Sequence, residues 1–427
     1  GSRDLTTPVS SRILVALVLS VTALALYGRA LWIAPFEEDN VLILAWAAAT
    51  PASQLILDDP HYYPEWRPLG HAAVWVQQRI TGDRLPPQFA VNILLWVLCA
   101  GIGAVVVRRL TGSDLGAVMA GLLIVADPRA TWVIVTVVER QNALGCIFGL
   151  LAFGLVARPG RSPLRVGEQC LFGALLLAGV LCKEFAATFI LAGAAYGWLK
   201  RRRDLVVPAV IAAAIYVGAR AMLVGGAAEP YCEEMYFFDT VRDVCLQPSD
   251  PASYPQLAYN FLAAVVNLPL LGLFSPVGRP HIAESRLLAG LLGTALACLA
   301  LARGPRESRW LVAIMVANAA VAVIVYRERD QLPGACAMAM LAGIGLPQAM
   351  PWVRTGVQRA LVIGVVIGVL LTQGLLAHAL VAERAAMAAQ IDPCELEIMD
   401  RPFVPPYVAT LKTRYGLPDP MCTGHRP

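Results

Sequence analysis

The stretch FAATFILAGAAYGWLKRRRDLVVPAVIAAAIYVGARAMLV, residues 185–224, is two apolar runs joined by the basic turn Lys200-Arg201-Arg202-Arg203. Each run, Phe185–Leu199 and Leu205–Val224, approaches the ~20 apolar residues with which a helix crosses a bilayer. The basic turn assigns a side, because loops rich in Lys and Arg stay in the cytoplasm. Outward from this pair the same alternation recurs. Further candidate spans are Ile13–Ile33, Pro87–Val107, Leu115–Ala126, Thr131–Val156, Gly167–Leu181, Ser285–Ala302, Trp310–Tyr326, Pro333–Met350 and Ala360–Val381. Basic clusters follow at Arg108-Arg109, Arg158/Arg161/Arg165, Arg303/Arg306/Arg309 and Arg354/Arg359. All five clusters share one side if the N-terminus is cytoplasmic. The segment Ile13–Ile33 carries no small-residue cleavage site and reads as a retained helix.

Composition agrees with this pattern. Of 427 residues, 58% are hydrophobic and 15% charged, against ~25% charged in soluble domains. The mean hydropathy is +0.62. The expected fold is an all-α polytopic membrane protein, a bundle of about eleven transmembrane helices with interfacial helices in the first outer loop. Residues 1–350 form its main transmembrane region, including outer loops 34–85 and 225–285. Residues 351–382 hold the last span and 383–427 a short exterior tail. Leu42–Ile56 and Pro68–Ile80 read as the interfacial helices, with Trp46, Trp66 and Trp75 as anchors. Tyr254–Phe274 reads as interfacial or re-entrant, since a spanning helix there would turn Arg303–Arg309 outward.

Cysteine placement is a separate signal. Cys99, Cys146, Cys170, Cys182, Cys298 and Cys336 fall in apolar spans and read as small buried hydrophobes. Cys232 and Cys245 share one outer loop, and Cys394 and Cys422 share the tail. Local disulfides Cys232–Cys245 and Cys394–Cys422 fit an oxidising compartment. No CxxC or nearby His pair suggests a metal.

Charges at the outer boundary are few and concentrated. Glu37-Glu38-Asp39 follows the first span, and Tyr62-Tyr63-Pro64-Glu65-Trp66-Arg67-Pro68-Leu69 comes about 25 residues later. Arg140 falls inside the expected span Thr131–Val156, where an unpaired charge costs ~2.5 kcal/mol or more. Lys183 and Arg327 end two other spans. Cations from separate helices at one depth make a phosphate cradle. The plainer readings stay open. Arg140 could pair with Glu139 or Asp127 to hold helices together, and Lys183-Glu184 could be an ordinary loop pair. Tyr62, Tyr63 and Trp66 could be interface anchors or a sugar-stacking wall. His61 and His71 lack ligand spacing. The Lys200–Arg203 turn is a topology signal and no nucleic-acid patch.

In this order the motifs resemble the GT-C superfamily of membrane glycosyltransferases. They are most similar to the transmembrane O-mannosyltransferases that carry tetratricopeptide repeats. They are more distantly similar to protein O-mannosyltransferases and the lipid A aminoarabinose transferase. The matching residues are Phe36-Glu37-Glu38-Asp39, Tyr63 with Arg67-Pro68-Leu69, Asp127-Pro128, Glu139 to Leu144, Lys183-Glu184, and Tyr326-Arg327 with Leu332-Pro333. Two features depart from the family. The first-loop pair is Glu38-Asp39 where Asp-Asp or Asp-Glu is usual, and no tetratricopeptide repeat follows the last span.

The resemblance implies a GT-C-like bundle that moves a monosaccharide, with inversion, from a polyprenyl-phosphate donor to an acceptor hydroxyl. It implies Asp39 as catalytic base with Glu38 as the next choice, and Asp127 orienting the acceptor. Arg67, Arg140, Lys183 and Arg327 would meet the donor phosphate. Tyr62, Tyr63, Trp66 and Glu184 would hold sugar or acceptor. No cofactor is required, and a divalent metal is compatible with the carboxylates. The partners implied are membrane lipids, an undecaprenyl-phosphate-linked sugar and a glycan, lipid or protein acceptor such as a pilin. The place implied is a bacterial inner membrane, with active site and C-terminus periplasmic. The alternative is a transporter or flippase for a lipid-linked sugar. That reading predicts paired broken helices and charges at the bilayer midplane, and the sequence displays neither.

Overall fold

The computed structural model describes residues 9–32, 38–55, 66–82, 84–157, 163–223, 231–237, 240–246, 251–270, 280–323, 331–353 and 355–388; Glu38, Asp39 and both strands are among those described by backbone alone. The chain forms α1 (Val9–Tyr27), α2 (Glu38–Ala49), α3 (Pro68–Thr81), α4 (Leu85–Thr111), α5 (Asp114–Val125), α6 (Ala130–Val135), α7 (Arg140–Val156) and α8 (Val166–Cys182). It continues with α9 (Ala187–Leu199), α10 (Arg203–Leu223), β1 (Tyr231–Phe237), β2 (Thr240–Leu246), α11 (Tyr254–Leu270), α12 (Pro280–Arg303), α13 (Arg309–Ala322), α14 (Leu332–Ala349) and α15 (Gly356–Ala388). By length and composition α1 with its 3₁₀ extension, α4, α10, α14 and α15 can each cross a membrane. Shorter apolar helices, including α5, α7, α8 and α9, pack among them. The all-α expectation has one exception, the antiparallel β1–β2 hairpin.

The bundle is built around α14, whose residues Leu332–Leu346 are all buried. Its sequence LPGACAMAMLAGIGLPQA is mostly small side chains, and in apolar surroundings small residues let backbones approach. A Cβ added at Gly343 would lie 2.5 Å from the carbonyl oxygen of Gly116 on α5. At Gly345 it would meet the carbonyl of Leu296 on α12. By contrast α1, α10 and α15 turn large apolar side chains outward, among them Leu17, Val217 and Leu371.

The basic loops gather at one end of the bundle. The Arg303 guanidinium stacks 4.2 Å over the ring of Trp352. The Leu164 amide donates to Asp204 Oδ2 at 2.8 Å, and the Tyr196 and Trp310 rings lie 6.3 Å apart. At the opposite end the Tyr27 hydroxyl donates to the carbonyl of Val125 at 2.8 Å. There too Arg384 sits 3.6 Å over the ring of Trp132.

Two sequence expectations are corrected here. Thr131–Val156 is not one helix: α6 stops at Val135, and α7 starts at Arg140. The run from Thr131 to Val138 is rich in Val, Ile and Thr, whose branched side chains lose χ1 freedom in a helix. Two buried asparagines satisfy the opened backbone. Asn92 Nδ2 donates to the carbonyls of Val133, Ile134 and Thr136. Asn40 Nδ2 donates to the carbonyl of Val135, and its Oδ1 accepts from the Val137 amide. Non-helical backbone at membrane depth is stable only with such internal partners.

The second correction concerns α2. It is not an interfacial helix: Val41 to Ala47 are all buried, Trp46 included. The other expected interfacial helix, α3, does have two faces. It turns Leu69, Val76 and Ile80 outward and buries His71, Gln77 and Gln78, the arrangement that suits a helix with lipid outside and a polar site inside.

Candidate functional site

At the end opposite the basic loops, α2, α3, the α6–α7 break and the α8–α9 junction converge. Glu38 and Asp39 form the first turn of α2, where the helix dipole favours negative charge. Asn40, the next residue, is wholly buried and fastened to Val135 and Val137. The acids therefore begin a helix moored beside the α6–α7 break, two residues before Glu139. Glu37, Tyr62, Tyr63 and Arg327 lie outside the described residues, as do Cys394 and Cys422.

Arg67 precedes α3 and is 5% exposed. Its Nε donates to Glu184 Oε2 at 2.7 Å, and Nη1 donates to Gln141 Oε1 at 3.4 Å. Pro68 at the first position of α3 needs no amide partner there, so the helix can start at once behind Arg67. Gly70 keeps the junction tight: a Cβ would lie 2.6 Å from the carbonyl of Cys182 and 2.7 Å from the Gln141 side chain.

Lys183 is an extended residue between α8 and a short 3₁₀ turn. Its ammonium is buried, and its nearest acid is Glu139 Oε2 at 3.9 Å, too long for a hydrogen bond. Gln141 Nε2 and both amide atoms of Asn142 are buried without a hydrogen-bond partner. The junction thus holds buried polar atoms of both kinds, donors and acceptors, without hydrogen-bond partners. His71 also sits here, its ring 5.3 Å from that of Trp46. On α3, outside the spans, burial together with the Arg67 and Lys183 charges pushes its pKa down to about 3. His71 is thus a neutral imidazole beside two cations.

Arg140 is placed differently from the sequence expectation. It is the first residue of α7 and 1% exposed. Its guanidinium donates to Val137 O at 3.0 Å, to Gln88 Oε1 at 2.8 Å and to Gln77 Oε1. The cation thereby ties α3, α4 and α7 together. Asp127 forms a two-pronged ion pair with Arg129, at 2.8 Å to Nε and 2.6 Å to Nη2. Among the described residues no group of three His, Cys, Asp or Glu side chains is placed to hold a metal ion.

Asp127 and Arg129 line a groove of about 50 Å³ between α5, α12, α14 and α15. Its walls are apolar, including Met119, Leu123, Leu296 and Met338. None of these elements carries Arg67 or Lys183.

Sequence reading missed Asn40, Asn92, Arg220 and Tyr216. Arg220 lies one turn from the outer end of α10, the same signal that drew attention to Arg140. Its Nη1 is 3.8 Å from Glu184 Oε1 and 3.4 Å from the Tyr216 hydroxyl. Tyr216 in turn stacks on Trp66, with ring centroids 5.9 Å apart.

No family model and no curated protein sequence matches this chain. Solved structures do. The oligosaccharyltransferase of Archaeoglobus fulgidus in its apo form superposes with a TM-score of 0.55 at 13% identity, over 95% of this chain and 60% of that one. The same archaeal protein, AglB, in complex with an inhibitory peptide and a dolichol-phosphate gives 0.54 at 14% identity, over 95% and 59%. ArnT from Cupriavidus metallidurans bound to undecaprenyl phosphate gives 0.52 at 16% identity, over 94% and 84%. The chain thus spans about three fifths of the archaeal protein's length. Both neighbours are GT-C membrane glycosyltransferases, so the fold is the one the motifs resembled.

Proposed function

We propose that the chain is a GT-C glycosyltransferase that moves a monosaccharide from a polyprenyl-phosphate donor to an acceptor hydroxyl. One observation carries this reading. Two buried cations, Arg67 and Lys183, lie with the unpartnered Gln141 amide nitrogen at the end of the bundle where α2 begins with Glu38 and Asp39. Arg67 is paired with Glu184 at 2.7 Å, but the Lys183 ammonium has no acid nearer than 3.9 Å; a buried cation so weakly paired is costly, and an anionic ligand relieves that cost. The fold is shared with proteins solved with undecaprenyl phosphate and with dolichol-phosphate.

The chemistry follows from these groups. The acceptor hydroxyl gives its proton to Asp39, with Glu38 as second choice, while its oxygen attacks the anomeric carbon. The bond from that carbon to the phosphate oxygen breaks, and polyprenyl phosphate leaves. Arg67 and Lys183, joined by Arg327 from the sequence motif, stabilise the charge that grows on the phosphate. Arg140 positions Gln77 and Gln88 and is given no phosphate. Asp127, held by Arg129, orients groups beside the base. The aromatic residues Tyr62, Tyr63 and Trp66 supply sugar or acceptor contacts. The leaving group needs no metal, though the acids of α2 are compatible with one. The basic end would face the cytoplasm and the site the periplasm of a bacterial inner membrane. The acceptor would be an envelope glycan, a lipid or a secreted protein.

The test is transfer in proteoliposomes from undecaprenyl-phosphate sugars to extracted envelope material. Asp39→Asn is expected to lower the rate by ~10²–10⁴-fold with an unchanged melting temperature. Near-normal activity in Asp39→Asn together with loss in Glu38→Gln would move the base to Glu38. Normal activity in both would remove the acids from the chemistry.

A further inference from the structure

The groove between α5, α12, α14 and α15 changes character along its length. α5 and α15 start at the basic end of the bundle, and α14 ends there, where Arg303 stacks on Trp352. Away from that end the lining passes from Met119 and Leu123 to Asp127 on α5 and its following turn, from Val369 to Gln373 on α15, and from Ala342 to Ala335 on α14. The apolar half therefore lies toward the basic end and the polar half toward the candidate site. The polar half carries no net charge, because Asp127 and Arg129 neutralise each other at 2.6 Å. Gln373 is 9% exposed, and its Oε1 accepts no hydrogen bond. A buried acceptor left unpaired destabilises the fold. The amide turns about a soft terminal torsion, so its oxygen can face a donor in the groove. Such a space suits a hydrocarbon chain with an uncharged head that bears hydroxyls, and it gives a phosphate no cation of its own.

From this geometry we infer that the groove holds the chain of the acceptor, which makes the acceptor a membrane lipid with an uncharged sugar head. The inference rests on the transferase reading above and names the acceptor's class. The cations given to the donor phosphate stand on other elements: Arg67 precedes α3, and Lys183 follows α8. The segment holding α6 joins the two places. Asp127 comes eight residues before Val135, roughly 12 Å at the helical rise per residue. The Val135 carbonyl accepts from Asn40, the residue after Asp39. A sugar head extending from the groove along α6 brings a hydroxyl to the start of α2, while another hydroxyl donates to Gln373.

The experiment uses dodecyl maltoside with a photoactivatable group at the end of its chain, bound to purified protein in phosphatidylcholine nanodiscs, with cross-linked peptides mapped by mass spectrometry. Wild type is expected to be labelled on α12 and α14. Unlabelled dodecyl maltoside should compete, and undecaprenyl phosphate should not. Gly293→Leu plugs the groove: a Cβ there meets only Met338 Cε, at 3.7 Å, so the larger side chain enters the open space. It should cut labelling about tenfold, the worth of burying about two methylene groups. Its affinity for undecaprenyl phosphate should stay within about twofold, as for a distant independent site. Gln373→Leu keeps the size of the wall and should weaken labelling about two- to tenfold, the worth of one hydrogen bond. No labelling of α12 and α14 in wild type, or labelling unchanged in Gly293→Leu, would overturn the inference. So would displacement of the probe by undecaprenyl phosphate, which would give the groove to the donor tail. In the transfer assay the product is expected in the lipid fraction of the envelope extract, and product in protein alone would overturn the acceptor assignment. Wild type that is labelled in the groove but fails to bind undecaprenyl phosphate is a different result, which keeps the groove as a sugar-lipid site and defeats the donor reading.

Discussion

Lys183 and Arg140 are two buried cations with opposite bonding. Arg140 satisfies its guanidinium on Gln77, Gln88 and Val137, whereas Lys183 meets only a 3.9 Å approach from Glu139. Their variants should therefore separate. Lys183→Ala should weaken undecaprenyl phosphate binding ten- to hundredfold, as loss of a charge-assisted contact of ~1.5–3 kcal/mol requires, with little loss of stability. Arg140→Ala should instead lower the melting temperature, since it leaves two buried glutamines without their donor. Donor affinity and melting temperature on the same purified variants check both. The reverse pattern would return Arg140 to the phosphate. His71 adds a pH test. Its folded pKa is about 3 and an unfolded His titrates near ~6.5. Below that value the unfolded chain binds the extra proton, so stability is present above ~6.5 and falls as pH drops, by ~1.4 kcal/mol per unit. Melting measured from pH 7.5 to 5 should fall less steeply in His71→Gln.

At the scale of elements, the sequence was legible where one segment decides its own state. The apolar runs, the basic turns between them and the Pro68 start of α3 are local signals, and the structure has helices where they pointed. The break between α6 and α7 was not legible in this way. Thr131–Val138 reads as an apolar stretch, and what holds it open are Asn40 and Asn92, 97 and 41 residues away in their bonds to Val137 and Val133. For the same reason Arg140 looked like a charge within a span, though it begins a helix. The buried state of α2 was hidden too, because a short apolar helix beside a membrane boundary looks the same whether protein or lipid surrounds it. The hairpin went unpredicted although its cysteines were singled out. Its register sets Cys232 opposite Cys245, and directly opposed positions have Cβ atoms ~4.5–5.5 Å apart, near the reach of a disulfide. Non-reducing peptide mapping should find these two joined. Free thiols at both, in protein taken from an oxidising compartment, would refute the pairing and the outward placement of the loop.

For the whole molecule, charge placement and fold point the same way. The described basic loop residues collect at one end, and the buried cations, the acids of α2 and the unpartnered amides collect at the other. Of the candidate site, Arg67, Lys183, Glu184 and Trp66 were legible as residue types at span ends, and the structure draws them together around α3 and the α8–α9 junction. Arg220 and Tyr216 were not, because only helix packing brings α10 to Glu184. The central claim is that this end receives a polyprenyl phosphate. The most direct measurement is an electron cryomicroscopy structure of the chain in nanodiscs with undecaprenyl phosphate. The account predicts phosphate density within hydrogen-bond reach of both Arg67 and Lys183, with Arg140 still bonded to Gln77 and Gln88. Density for the phosphate at Arg129 above the α5–α14 groove, or no ordered lipid phosphate at saturating concentration, would contradict it.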